Sequence, residues 1–241
     1  MQCAVAACLM VFLGGIPLSF GGETYGLKGV GTPLSSVTSG QQTFSVYPFG
    51  AVLSSGVWHR PGWTPSGDKP IEVCWENLAD SDPVMRQAVR DSVAKTWAQY
   101  GMVSFVGWGA CEKNARGIRI EVDASESSTV SLGQHLDGVP KGMRLQMDFS
   151  AWPYCKDQNE FCVRATAVHE FGHALAFAHE QNRKDAPAWC KAKHSGDFPD
   201  LSITKFDPES IMNYCNKEWN NKGLLSEKDI EAVTKVYGAR S

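Results

Sequence analysis

The sequence lacks an excess of positive charge, and it lacks internal repeats. Its 241 residues contain 23 Lys and Arg against 26 Asp and Glu, which gives a formal net charge of −3. Binding to nucleic acid or to an anionic membrane favours a basic surplus, so neither partner is expected. The length fits one good-sized domain or two small ones.

Charged side chains are also missing from the first 22 residues, most of which are apolar. An apolar run followed by small residues, here Ser19, Gly21 and Gly22, is typical of a secretory signal, which we predict over residues 1–22. A membrane anchor is the alternative, but two glycines and a proline interrupt the run, which barely reaches the roughly 20 residues that span a bilayer. We therefore expect a secreted protein, extracellular or periplasmic, that leaves the membrane after cleavage.

No two cysteines have the C-x-x-C spacing of a cysteine zinc site. Two of the eight cysteines lie in the predicted signal, and the even number that remains predicts three disulfides in an exported protein. Sequence alone leaves many pairings open. The pairing that we favour is Cys74–Cys111, Cys155–Cys162 and Cys190–Cys215.

Residues 23–70 are rich in Gly, Ser, Thr and Pro and show neither a helical nor a strand period. We interpret them as a linker or a propeptide-like arm. A compact domain is expected over residues 71–241.

Within that domain, hydrophobic periodicity predicts the order of the elements. The predicted strands are 71–76, 102–108, 117–122 and 143–149. A first helix is capped by Asp82 and runs to Tyr100, and a second covers residues 161–176. A capping box, Ser226 with Asp229, opens a last helix that runs to Tyr237.

The segment His169-Glu170-Phe171-Gly172-His173 has the pattern H-E-x-x-H inside a predicted helix. Residues four apart project from the same helix face, because each residue turns the chain by about 100°. His169 and His173 therefore present two imidazoles to one cation, with Glu170 on the adjoining flank. The pattern predicts a zinc site in which Glu170 is the general base.

A catalytic zinc usually takes three protein ligands and leaves one position for water. His179 is the candidate third ligand, but a continuing helix would carry it roughly 15 Å along the axis from His169. The chain must therefore turn sharply, and the turn falls at Ala176. A positive φ at alanine costs about 1 kcal/mol, which zinc binding, worth roughly 10 kcal/mol in structural sites, easily offsets.

The stretch HEFGHALAFAHE resembles the extended zinc signature of the metzincin endopeptidases, H-E-x-x-H-x-x-G-x-x-H, with Ala176 in place of the family glycine. The residues that follow the third histidine, Glu180, Arg183 and Asp185, resemble those of the astacin branch of the metzincins. The segment SIMNY at residues 210–214 is similar to the Met-turn of astacins and serralysins. The resemblance covers about residues 165 to 215.

This resemblance implies an α+β fold. A mixed, mostly parallel twisted sheet and two long helices would form an N-terminal subdomain, followed by an active-site cleft and a loop-rich C-terminal subdomain that ends in a helix. It also implies a zinc-dependent endopeptidase that hydrolyses internal bonds of a protein or peptide substrate through a zinc-activated water, and we expect a monomer. The strand 143–149 would be the sheet edge that pairs with an extended substrate.

The resemblance also assigns roles to single residues. Met212 would form an apolar floor under the zinc, and Tyr214 would be a fifth ligand or a donor to the oxyanion. Glu180 would be structural, bonding a chain end or a nearby loop. No convincing Asp or Cys latency switch precedes residue 71, so control through a zymogen is not expected.

Two alternatives stay open at this level. A thermolysin-like peptidase would use a downstream glutamate, Glu209 or Glu218, as the third ligand. A catalytically inactive secreted zinc-binding module would keep the ligands and lack the activity.

Overall fold

A computed structural model describes residues 35–39, 42–46, 50–59, 69–193, 195–197 and 199–240. Strands β1 (Ser35–Ser39) and β2 (Gln42–Val46) pair antiparallel with each other. The predicted signal, residues 1–22, lies outside the described residues, as does part of the predicted arm. No helix in the described ranges combines the length and the apolar character needed to cross a bilayer.

The central sheet has five strands in the order β5-β4-β6-β8-β7. Neighbouring strands are parallel except β7, which pairs antiparallel with β8. The mixed, mostly parallel sheet expected from the sequence is therefore confirmed. The strands are β4 (Lys69–Trp75), β5 (Val103–Ala110), β6 (Ile118–Asp123), β7 (Ser128–Thr129) and β8 (Met143–Gln146).

Two long helices, α1 (Pro83–Ala94) and α3 (Asn159–Ala174), pack against each other beside this sheet. The predicted cap of α1 is present, since Asp82 accepts a bond from the Val84 amide at 2.8 Å. The prediction that this helix runs to Tyr100 was wrong. Thr96 has non-helical backbone angles and bonds back to the Ser92 carbonyl at 2.7 Å, so Trp97–Tyr100 forms a separate short helix, α2.

Residues before the predicted domain boundary at residue 71 also take part in the packing. Strand β3 (Gly50–Val52) pairs antiparallel with β9 (Leu201–Ile203). Trp58 is fully buried, and its indole N–H donates to the Ala174 carbonyl at 2.7 Å. The partners of residues 50–58 lie far along the chain, so no local period could indicate this packing.

The part of the chain after α3 is rich in loops, as expected. It contains α4 (Ala188–Lys191), β9 and the final helix α5 (Glu227–Tyr237), which the predicted capping box of Ser226 and Asp229 opens. The three disulfides have the predicted pairing, Cys74–Cys111, Cys155–Cys162 and Cys190–Cys215.

Candidate metal centre

Helix α3 carries the first two histidines, and from Ala165 to its end it is buried on all sides. His169 and His173 are one turn apart, and both rings face the same interior space. Two tryptophans fix the helix by donating their indole N–H groups to its carbonyls, Trp97 to Val168 and Trp58 to Ala174. Polar groups on a helix with no exposed side are costly to bury unless they have partners.

The helix ends in a Schellman motif that turns the chain back toward the histidines. The amide of Phe177 donates to the Gly172 carbonyl at 3.0 Å, and the amide of Ala176 donates to the His173 carbonyl at 2.9 Å. Ala176 has φ 71°, in the left-handed region. The sharp turn that the sequence required is therefore confirmed at Ala176.

Two glycines make room for the methyl group of Ala176, which occupies the usual place of a glycine. A β-carbon on Gly56 would lie 3.1 Å from the Ala176 β-carbon, and one on Gly133 would lie 2.8 Å from it. Gly133 is itself left-handed, with φ 58°. The strain at Ala176 is thus offset in part by burial of its methyl group in a recess that larger residues would close.

The turn brings His179 back to the other two rings. Its Nε2 atom lies 3.1 Å from Nε2 of His169 and 3.1 Å from Nε2 of His173. These three residues form the one group of His, Cys, Asp or Glu side chains, within the described ranges, whose geometry suits a metal ion.

Hydrogen bonds on the other side of each ring fix its tautomer. The Nδ1 atoms lie 2.7 to 2.8 Å from backbone carbonyl oxygens, His169 with Ile211, His173 with Phe177 and His179 with Ser195. A carbonyl only accepts, so each Nδ1 carries the hydrogen and each neutral ring turns a bare lone pair on Nε2 toward the shared space.

Three lone pairs that face one another cannot bond to one another, and a cation between them would satisfy all three. Burial lowers the pKa of all three histidines, that of His169 to about 3, which keeps the rings neutral. Neutral imidazoles suit zinc, whose ligands in a tetrahedral site lie about 3.3 Å apart. The residues present therefore fit a zinc ion.

Glu170 is buried beside the histidines. Its Oε2 atom is inaccessible to solvent, and no residue in the described part of the chain donates a hydrogen bond to it. Burial raises the pKa of Glu170 to about 8. A cation held at the three rings would lower the pKa again, because it favours the charged carboxylate. A buried carboxyl oxygen without a partner and a raised pKa are features typical of functional sites.

Met212 packs against the middle of the ligand-bearing helix. A β-carbon on Gly172, between the two helical histidines, would lie 2.4 Å from the Met212 sulfur. Any side chain at Gly172 would therefore displace Met212 or the helix. The Met212 side chain is buried, in agreement with an apolar floor, and its carbonyl accepts from the Glu180 amide at 2.9 Å.

Tyr214 lies over the cluster with its ring 4.3 Å from that of His179 and 5.4 Å from that of His169, measured between centroids. Its partial burial, and then the charge of Glu170, raise its pKa to about 12. The phenol thus keeps its proton at neutral pH and remains a hydrogen-bond donor.

The residues after the third histidine are structural. Glu180 accepts from the Asp207 amide at 2.7 Å, so it bonds a nearby loop, one of the two partners expected. Arg183 is buried and pairs with Glu180 at 3.3 Å and with Asp185 at 2.8 Å. This network fixes the chain directly behind His179.

Two cavities flank the cluster, and Glu170, Tyr214 and Ser127 line both. The first measures about 510 Å³ and also borders His169, and the second measures about 250 Å³ and borders His173 and His179. The segment 125–132, which contains β7, runs along both cavities.

The substrate-pairing edge predicted at residues 143–149 was wrong. Strand β8 is paired on both sides, with β6 and with β7, so among the described residues the free edge beside the cavities belongs to β7. A strand of two residues has no detectable alternation, and the sequence therefore could not indicate it. The alternative in which Glu209 or Glu218 supplies the third ligand is not supported, since both are exposed and His179 completes the cluster.

No protein-family model matches the chain, and no curated protein matches it in sequence. Solved structures do match. A structure of myroilysin has a TM-score of 0.54 and 19% identity, covering 80% of this chain and 100% of that one. The hatching enzyme HCE-1, a zinc-protease of the medaka fish Oryzias latipes, has a TM-score of 0.51 and 19% identity, covering 78% of this chain and 96% of that one.

The chain shares the fold of these two proteins. This confirms the resemblance drawn from the zinc signature. At this level of identity the likeness concerns the fold, and the geometry of the histidine cluster adds the chemistry. Together, the fold shared with these proteins and three converging imidazoles support a zinc peptidase.

Proposed function

We propose that the protein is a secreted zinc endopeptidase with His169, His173 and His179 as metal ligands and Glu170 as the general base. The observation that carries the proposal is the convergence of three neutral rings with bare Nε2 atoms beside an unpartnered buried carboxyl group. The three disulfides support an oxidising, extracytoplasmic location.

Zinc held at these rings would supply a Lewis acid that lowers the pKa of a water molecule toward neutrality. Glu170 would accept a proton from the water molecule while the water oxygen attacks the scissile carbonyl carbon. Glu170 would then donate this proton to the leaving amine. Tyr214, protonated at neutral pH, would donate to the oxygen on which negative charge develops. The backbone carbonyls at Nδ1 keep the rings oriented throughout.

Cleavage within a chain is favoured by the shape of the site. Cavities lie on both sides of the cluster, and the β7 segment follows them, so an extended peptide can continue in both directions. Backbone pairing with a free sheet edge accepts any sequence in an extended form. A protein or peptide substrate bound through its middle is therefore the best fit.

Replacement of Glu170 by Gln tests the assignment. The variant should retain one zinc per chain and lose about a thousandfold in kcat on peptide substrates, because the amide cannot accept the proton. Glu209→Gln, at an exposed position, is the matched control. Metal content by mass spectrometry and cleavage of a peptide library measure the two properties separately.

Normal cleavage by Glu170→Gln would show that the base is another residue. If the native chain held zinc and cleaved no peptide of a broad library, the protein would instead be the inactive zinc-binding module.

A further inference from the structure

Four aromatic rings form one wall of the larger cavity and its rim. Phe149, Trp152 and Trp219 line the cavity, and Tyr154 contacts Trp219 from outside it. The ring centroids lie 5.3 to 6.4 Å apart with interplanar angles of 64° to 80°, in edge-to-face contacts that suit aromatic pairs. We call these four residues the aromatic wall.

The wall is fixed to the helix that carries the candidate base. The Phe149 amide donates to the Asn159 side chain at the start of α3 at 2.7 Å, and the Trp152 amide donates to the Phe149 carbonyl at 2.8 Å. The disulfide Cys155–Cys162 joins the same loop to the first turn of α3. These bonds hold the wall at a fixed distance from Glu170, as a preorganised binding surface requires.

The wall exposes more apolar surface than folding alone explains. Trp152 is 45% exposed and Tyr154 is 52% exposed, although both are large aromatic side chains. Exposed apolar surface that continues into a cavity is typical of a ligand site. His169, Glu170 and Tyr214 line the same cavity, so a group bound there lies beside the histidine cluster.

Charge in the cavity does not favour an ionic ligand. Besides Glu170, the charged residues along it are Glu126 and Lys217. Glu126 is paired with Arg144 at 2.6 Å. Lys217 is exposed, and its opposite charge to Glu126 leaves the outer lining without a dominant sign.

We propose that the aromatic wall selects substrates with an aromatic or large aliphatic side chain at one position next to the cleaved bond. The side chain enters the cavity of about 510 Å³ and packs against Trp152 and Trp219. This inference rests on the proposed peptidase function and adds the substrate class to it. It makes the two tryptophans specificity-determining residues that do not touch the reacting atoms.

A digest of a peptide library derived from a proteome tests the inference with the zinc-loaded native chain. Cleavage sites should be enriched in Phe, Tyr, Trp, Leu or Met at one position beside the cut. Two peptides that differ only there, Phe against Ala, then give a ratio of kcat/KM. Trp152→Ala and Trp219→Leu should each lower this ratio about tenfold. Trp189→Ala, which removes a 62% exposed tryptophan away from the cavity, should leave the ratio unchanged.

Binding without turnover gives an independent measurement. The zinc-loaded Glu170→Gln chain should bind the Phe peptide about tenfold more tightly than the Ala peptide in calorimetry, and Trp152→Ala in that background should remove the difference. Cleavage with a preference for acidic residues, or with no preference at this position, would overturn the inference and leave the peptidase function standing. Absence of cleavage of every peptide by the native chain would contradict the peptidase function itself.

Discussion

The two parts of the molecule that meet at the histidines are built differently. The sheet half, residues 69–174, holds its elements with backbone ladders and two long helices. The loop half, residues 175–240, has little regular structure before its final helix and buries many polar side chains instead. Those buried polar residues include Glu180, Gln181, Asn182, Arg183, Asp207, Ser210, Asn213, Ser226 and Asp229.

The division extends into the metal centre. The sheet half supplies two of the three histidines and Glu170, but the loop half supplies the carbonyl acceptor of every ring, from Phe177, Ser195 and Ile211. Asn182 donates to the Ser195 carbonyl at 2.6 Å. Ligand identity is thus mostly a property of one half, whereas ligand orientation is a property of the other.

Removal of the metal should produce the largest change in stability, and the change should differ between the two halves. A ligand at a free concentration of a thousand times its Kd contributes about 4 kcal/mol to the free energy of unfolding. We expect chelation to lower the stability by this order and to raise amide hydrogen exchange across residues 175–216 far more than in β4, β6 and α3. These two strands and this helix are held by backbone hydrogen bonds that need no metal.

His169→Ala and His179→Ala, one ligand from each half, extend this measurement. Both should release the metal, and both should reproduce the exchange pattern of the chelated chain. An equal rise in exchange in both halves would refute the contrast between them.

A smaller effect is expected from Asp229→Asn, which loosens the loop half alone. The carboxylate accepts from the Ile211 amide at 2.9 Å, from the Ser226 amide at 3.0 Å and from the Ser210 hydroxyl at 2.7 Å. An amide in its place has one accepting oxygen instead of two, so a buried donor loses its partner, which costs about 1–3 kcal/mol of stability. Because the Ile211 carbonyl orients His169, zinc affinity should also fall about tenfold.

Thermal unfolding and a metal-competition titration measure the two effects of Asp229→Asn. The exposed Asp157→Asn in the sheet half is the control, and it should change neither. Unchanged zinc affinity in Asp229→Asn would mean that Ile211 holds its position without this carboxylate.

The smallest effect is expected from Ala176→Gly at the junction of the halves. Glycine relieves the strain of φ 71°, but it removes a buried methyl worth about 0.8 kcal/mol and adds flexibility to the unfolded chain. These terms oppose one another, so stability should change by less than about 1 kcal/mol. Calorimetric unfolding checks this, and a large loss of zinc affinity would show that the methyl group itself orients His179.

Local patterns in the sequence were sufficient for most of the sheet half. The strands of the sheet other than β7 follow from the hydrophobic pattern, and the start of α1 follows from the Asp82 cap, because these signals lie in adjacent residues. The break at Thr96 was missed, since a side-chain bond to the preceding turn competes with helical periodicity. The pairing of β3 with β9 was missed because it joins segments far apart in the chain.

The candidate site divides in a similar way. The spacing of His169, His173 and His179 indicated the cluster, and the need to bring His179 back indicated the turn at Ala176. The sequence held no signal for the carbonyl acceptors of the rings, because backbone groups have no residue type. Nor could it join Trp152 to Trp219, which only the folded chain brings into contact.

The two-residue length of β7 has a consequence for selectivity. So short an edge strand exposes few free amide and carbonyl groups, which disfavours edge-to-edge pairing between two folded copies of the chain. It also gives an incoming polypeptide too few main-chain bonds to lock one alignment over the next. The fit of a substrate side chain in the cavity, and not main-chain pairing, would then determine which bond is cut. A polypeptide could bind in several registers, and the register that places a suitable side chain in the cavity would be the most stable.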